Sequence, residues 1–60
     1  MEHLDELFPD GGEIYTKEEI KYHLIQYMAE EDADVAISEA EKMGFIYLAN
    51  CENGVEVYVR

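Results

Sequence analysis

Two stretches rich in β-branched and aromatic residues, FIYLA at 45–49 and VEVYV at 55–59, stand on either side of NCENG. Asn53-Gly54 within that loop is a strong tight-turn signal, because both central residues of the favoured hairpin turn need positive φ. The segment therefore predicts an antiparallel hairpin. A two-residue turn at Asn53-Gly54 pairs Leu48 with Val59 and Asn50 with Val57. Ile46, Leu48, Val55, Val57 and Val59 then form one face, and Tyr47, Ala49, Cys51, Glu56 and Tyr58 the other. The second face is less apolar and is expected to be the more exposed. A longer NCENG loop would shift the register.

Helical signals fill the chain before the hairpin. Thr16 followed by Glu19 fits a capping box, and Ile20, Leu24, Tyr27 and Met28 recur at helical spacing, with Ile25 widening the stripe. A helix is predicted from 17 to about 29, with Tyr27 in the core. AEEDADVAISEAEKMG, residues 29–44, reads as an acidic turn and a second helix, with Asp32 or Asp34 available as N-cap. Its Ala33, Ala36, Ile37, Ala40 and Met43 share one side, opposite Asp34, Ser38 and Glu41. Gly44 is a natural stop, and Phe45 after it can close the helix end. Upstream, EHLDELF at 2–8 gives Leu4, Leu7 and Phe8 one side of a short helical segment that Pro9 and DGG end. EIY at 13–15 fits a minimal strand. Residues 1–60 form a single domain, with 1–12 as a flexible or short helical N-terminal segment.

Size and charge narrow the partners. Sixty residues lie near the lower limit for an unaided core, so partner binding or self-association can add stability. An apolar fraction of 48% argues for a folded chain rather than disorder. Four Lys plus Arg against fifteen Asp plus Glu give a net charge of −11, which opposes a phosphate backbone and favours a basic partner. A lone cysteine, Cys51, cannot form an internal disulfide, and no basic, apolar leader opens the sequence, so a reducing, cytoplasmic setting is expected. No apolar run is long enough to span a bilayer, and no membrane role is expected.

Taken in order, short helix, minimal strand, helix, helix and β-hairpin make an α+β chain that resembles a reduced winged helix-turn-helix domain. The resemblance is sharpest from Thr16 to Arg60. YTKEEIKYHL stands at the support helix, DADVAISEAEKMGFIYLA at the recognition helix and the start of the hairpin, and NCENG at the wing tip. EIY is the small strand that caps the hairpin sheet. In that family the exposed recognition-helix positions enter the major groove and the wing contacts the backbone or minor groove. Here those positions hold Asp34, Ser38, Glu39 and Glu41, with Lys42 the one cation and Glu52 in the wing. The resemblance thus implies the architecture more than DNA reading.

Catalytic and metal chemistry find little support. Fifteen carboxylates make proximate pairs common, whereas acid–base chemistry needs two groups fixed in a pocket with proton affinities pushed apart. EEDAD lacks the spacing and glycine of a calcium loop. His3, His23 and Cys51 do not form a zinc pattern, and Cys51 has no visible activating base. DGG does not follow the phosphate-cradle pattern. No enzyme activity, cofactor or metal is expected.

Tyrosine is the better functional signal: Tyr22, Tyr47 and Tyr58 are interface candidates because the ring is apolar and the hydroxyl stays wet. The expected function is a small acidic protein–protein interaction module, an inhibitor or regulatory subunit. It binds a basic protein surface or a nucleic-acid-binding protein noncovalently, in the sharpest form by DNA mimicry. Asp34, Glu39 and Glu41 are its charged determinants, and Tyr47 and Tyr58 its apolar anchors or a homodimer surface. The alternative is a DNA-binding winged-helix transcription regulator using Ser38, Lys42 and Arg60, with Lys17, Lys21, Lys42 and Arg60 clustered.

Overall fold

The computed structural model describes residues 3–60, apart from the side chains of residues 50–52. Two helices and a three-stranded antiparallel sheet follow in the order β1 (Ile14–Thr16), α1 (Lys17–Leu24), α2 (Glu30–Lys42), β2 (Tyr47–Glu52) and β3 (Val55–Val59). Spatially the sheet runs β1-β3-β2, so the last strand is central. The class is α+β.

Each helix has identifiable ends. Thr16 caps α1 reciprocally with Glu19: the Glu19 N–H donates to Thr16 Oγ1 at 3.2 Å, and the Thr16 N–H donates to Glu19 Oε1 at 2.8 Å. At the other end of the pair, Gly44 takes φ +80°, and the Phe45 N–H reaches the Ala40 carbonyl at 2.9 Å while the Gly44 N–H reaches Glu41. This is a Schellman closure, and the left-handed conformation explains the glycine.

Three helical expectations are corrected. First, α1 ends at Leu24 rather than near 29, because the chain turns through Ile25–Ala29 to begin α2 at Glu30. The apolar stripe runs on past the helix, but its last residues leave the helical face. Tyr27, expected in the core, is 51% exposed, and Ile25 is 45% exposed. Second, α2 starts a turn before Asp32 or Asp34 could cap it. Its N-cap is Ala29, with no side-chain cap, and Glu30, Glu31 and Asp32 occupy the first turn, where their charge complements the helix dipole. Met43, at the C-cap, leaves the buried side and is exposed. Third, residues 3–7 form turns rather than a helix, held by the Leu7 and Phe8 N–H groups on the Leu4 carbonyl.

The hairpin departs from expectation at one residue, with large consequences. Asn53 and Gly54 both take positive φ, and Asn50 pairs with Val57 as expected. The register then shifts between Leu48 and Asn50, so Leu48 faces Tyr58 and Tyr47 faces Val59. Side chains alternate across a sheet, so the extra residue, Ala49, moves Ile46 and Leu48 onto the face of Tyr58. That face is the inner one: Ile46 and Tyr58 are buried with Leu4, Phe8, Ile20, Leu24, Ala33, Ile37 and Ala40. Tyr15, which pairs with Tyr58 across β1 and β3, packs edge-on to Phe8 at 5.2 Å. The valines expected inside are on the outer face, and Tyr58, expected outside, is 2% exposed.

Leu4 and Phe8 supply two of the nine buried core side chains among the described residues, so the N-terminal turn is structural. Phe8→Ala is predicted to cost about 3–5 kcal/mol, enough to unfold much of a domain this small, as a urea titration followed by circular dichroism would show. Thr16→Ala, which removes half of the capping box, is predicted to cost only about 1 kcal/mol in the same measurement.

Candidate protein-binding surfaces

Helix α2 turns Ala33, Ile37 and Ala40 inward and leaves all six of its carboxylates exposed. The acidic residues do not all serve the same surface. Asp34 faces α1, where its carboxylate lies 3.2 Å from Lys21 Nζ, and Glu30 lies 3.0 Å from the same nitrogen. The hydrogen bonds to Glu30 and Asp34 hold the Lys21 ammonium above its usual range. Glu41 lies against the sheet. The Tyr58 hydroxyl donates to Glu56 Oε2 at 2.9 Å, with Glu41 Oε1 at 3.4 Å. One hydroxyl proton serves one acceptor at a time, and the shorter contact is the better bond. Burial, first, and then these carboxylates push the Tyr58 phenol well above its ordinary value of 10.0.

Of the five expected protein-binding residues, Glu39 and Tyr47 are exposed, Tyr47 at 58%. Asp34 and Glu41 are exposed but engaged with Lys21 and Tyr58. Tyr58 as an exposed anchor is corrected: the Ala49 bulge turns it into the core. Among the alternative DNA-contact residues, Ser38 and Lys42 are exposed on α2. The Arg60 guanidinium is instead held by the chain, donating to the Phe8 carbonyl at 2.7 Å and lying 4.6 Å over the Phe45 ring. Lys21 and Arg60, two of the four cations, thus have different partners within the molecule. The side chain of Glu52, placed at the wing tip by the sequence, lies outside the described residues, as does that of Cys51.

Three features escaped the sequence reading. His3 and His23, twenty positions apart, converge on a single oxygen, Glu6 Oε1, at 3.3 and 3.0 Å. Tyr27 stacks on His3 at 3.8 Å between ring centres and meets His23 edge-on. This fastens the N-terminal turn to α1. Among the described residues, no group of three or more His, Cys, Asp and Glu is placed to hold a metal ion. The second feature is the outer sheet face, where Ile14, Val59 and Tyr47 form a row across all three strands, beside Val57 and Val55. Ile14 is 64% exposed. The third is an open cleft of about 300 Å³ lined by Glu18, Lys21, Tyr22, Ile25 and Glu30. Of the cleft residues, only Tyr22 is marked by the sequence as an interface candidate.

Among the described residues, no helix is long and apolar enough to cross a membrane. The chain matches no protein-family model, no curated protein and no solved structure.

The tyrosine geometry predicts alkaline lability. Because the folded-state value of Tyr58 is raised, the folded protein holds its proton after unfolded chains have lost theirs. The stabilisation is complete below pH 10.0 and declines as pH rises above it. Lys21, raised from 10.5, acts in the same direction. Stability measured by urea titration should fall steadily above about pH 10, and Tyr58→Phe should make that fall shallower.

Proposed function

We propose that this chain is a small acidic, winged-helix-like interaction module that binds a basic protein surface noncovalently, as an inhibitor or regulatory subunit. The order strand, helix, helix, hairpin, with the first strand beside the last, supports the winged-helix-like reading. The observation that carries the function is the placement of the charges. Lys21 and Arg60 are engaged within the chain, while Glu31, Asp32 and Glu39 remain exposed on α2.

A phosphate backbone must be met by several cations, each releasing counterions. Carboxylates on the recognition-helix position repel it at every approach. Against a basic protein the same charges steer association and favour the encounter. DNA mimicry is the sharper form of this reading, in which the α2 carboxylates stand where phosphates would. Tyr47 supplies an exposed aromatic contact, consistent with the enrichment of tyrosine at interface centres. The alternative, a DNA-binding regulator, depends on Ser38 and Lys42 with Arg60, and Arg60 would have to leave Phe8 and Phe45 to take part.

Affinity capture from the native source, with the recovered partner identified and purified, tests the reading alongside a duplex-DNA titration at low salt. The expected result is a basic partner whose binding weakens as salt rises and falls by about tenfold or more in a Glu31→Lys, Glu39→Lys double variant. DNA should not be retained. Tight, sequence-preferring DNA association with no stable protein partner would overturn the proposal.

A further inference from the structure

We propose that the cleft between α1 and the start of α2 is a docking pocket for an apolar side chain flanked by lysine or arginine on a partner protein, an inference that rests on the interaction-module reading above. The cleft is bounded by Glu18, Lys21, Tyr22, Ile25 and Glu30. Tyr22 and Ile25 form its apolar part, and both are substantially exposed, at 73% and 45%. Its volume of about 300 Å³ has room for a side chain or two, at the lower edge of the roughly 300–1,000 Å³ typical of ligand sites.

Charge at the rim selects what can enter. Lys21 is the one cation there, and Glu30 and Asp34 already hold it at 3.0 and 3.2 Å. The lining itself carries two carboxylates, Glu18 and Glu30, against this one ammonium, so the rim remains net negative. An apolar group alone would gain the burial of Tyr22 and Ile25 but leave the rim charge unanswered. A cationic group alone would meet the charge but leave the two apolar side chains wet. An apolar side chain with adjacent cations satisfies both, which is the chemistry of one face of a basic amphipathic helix.

Two sequence features made the site. The capping box starts α1 at Lys17, one residue before Glu18, and the early end of α1 at Leu24 leaves Ile25 at the C-cap, partly uncovered. The five-residue reversal then brings Glu30 back beside Lys21. A helix continuing to residue 29 would have no such opening.

The test uses the full chain and a synthetic amphipathic helical peptide of leucine and lysine. Two controls accompany it, one with serine in place of leucine and one with glutamate in place of lysine. Amide shifts in nuclear magnetic resonance titrations are expected to centre on Glu18, Tyr22, Ile25 and Glu30 with the leucine–lysine peptide, and to be much weaker with either control. Tyr22→Ala and Ile25→Ser, at exposed positions, should each weaken binding by about tenfold, with circular dichroism confirming that the fold is retained. Binding that maps to the outer sheet face or to the outer side of α2, unaffected by either substitution, overturns the pocket and leaves the interaction-module reading standing. Equal binding by the serine–lysine control overturns it too, because charge alone would then suffice. Absence of binding by the leucine–lysine peptide also overturns the pocket, while recovery of a basic partner by affinity capture judges the broader reading separately.

Discussion

The arrangement of the whole domain depends on the burial of Tyr58 in the central strand. β3 lies between β1 and β2, and Tyr58 is paired with Tyr15 on one side and Leu48 on the other. Its ring enters the core, while its hydroxyl reaches Glu56 at the edge. A phenol can do this because its body is apolar and its tip is polar. Once Tyr58 is inside, alternation along β3 sends Val55, Val57 and Val59 outward, and β2 needs a bulge to bring Ile46 to the same inner face. The N-terminal turn then closes over the sheet through Phe8 and its edge contact with Tyr15. One side chain thus sets the facing of three strands and the place of the turn that carries Leu4 and Phe8.

Scarcity of cations shapes the remainder. Of the four Lys and Arg in the chain, two are engaged in contacts within it. Lys21 joins the two helices through Glu30 and Asp34, an exposed arrangement in which solvent screens much of the attraction. Arg60 joins the end of β3 to Phe8 and Phe45 by a hydrogen bond and a cation–π contact. Both act as cross-links between elements distant in sequence. On α2, Glu30 and Asp34 meet Lys21 and Glu41 lies beside the Tyr58 hydroxyl, while Glu31, Asp32 and Glu39 stand on its exposed surface.

Several local signals, though not the N-cap of α2, were legible in the sequence from neighbours a few residues apart. The Thr16–Glu19 box, the Gly44 stop and the Asn53-Gly54 turn all formed as their residue chemistry requires. So did the α+β class. The failures arose where two competing arrangements had similar local appeal. The valines of β3 are better core residues by composition than the Glu56/Tyr58 face, yet Tyr58 brings a larger apolar ring and a nearby acceptor. The bulge at Ala49 has no punctuating Gly or Pro to announce it. Likewise the stripe through Tyr27 continued past Leu24, and only the need to reverse the chain before α2 ended the helix. His3, Glu6 and His23 could not be joined from spacing, because their meeting depends on how the N-terminal turn lies against α1. For the candidate site, the acidic exterior and Tyr47 were readable. The cleft was not, since it exists only because α1 stops short.

The outer sheet face is the other apolar surface, and size decides its role. Strands lie about 4.8 Å apart, and β1 has only three residues, so the shared face spans roughly 10 Å in each direction. A stable protein interface buries about 800 Å² on each partner, several times what this patch offers. A second copy would have to recruit more surface while bringing two net charges of −11 together. Salt would screen that repulsion only in part at contact distances shorter than a Debye length. The basic partner proposed above would face no such opposition: it would begin from the charge on α2 and the cleft rim and use Ile14, Tyr47 and the valines as added apolar contact. In the proposed reading, this small face would extend an interface that electrostatics has already started.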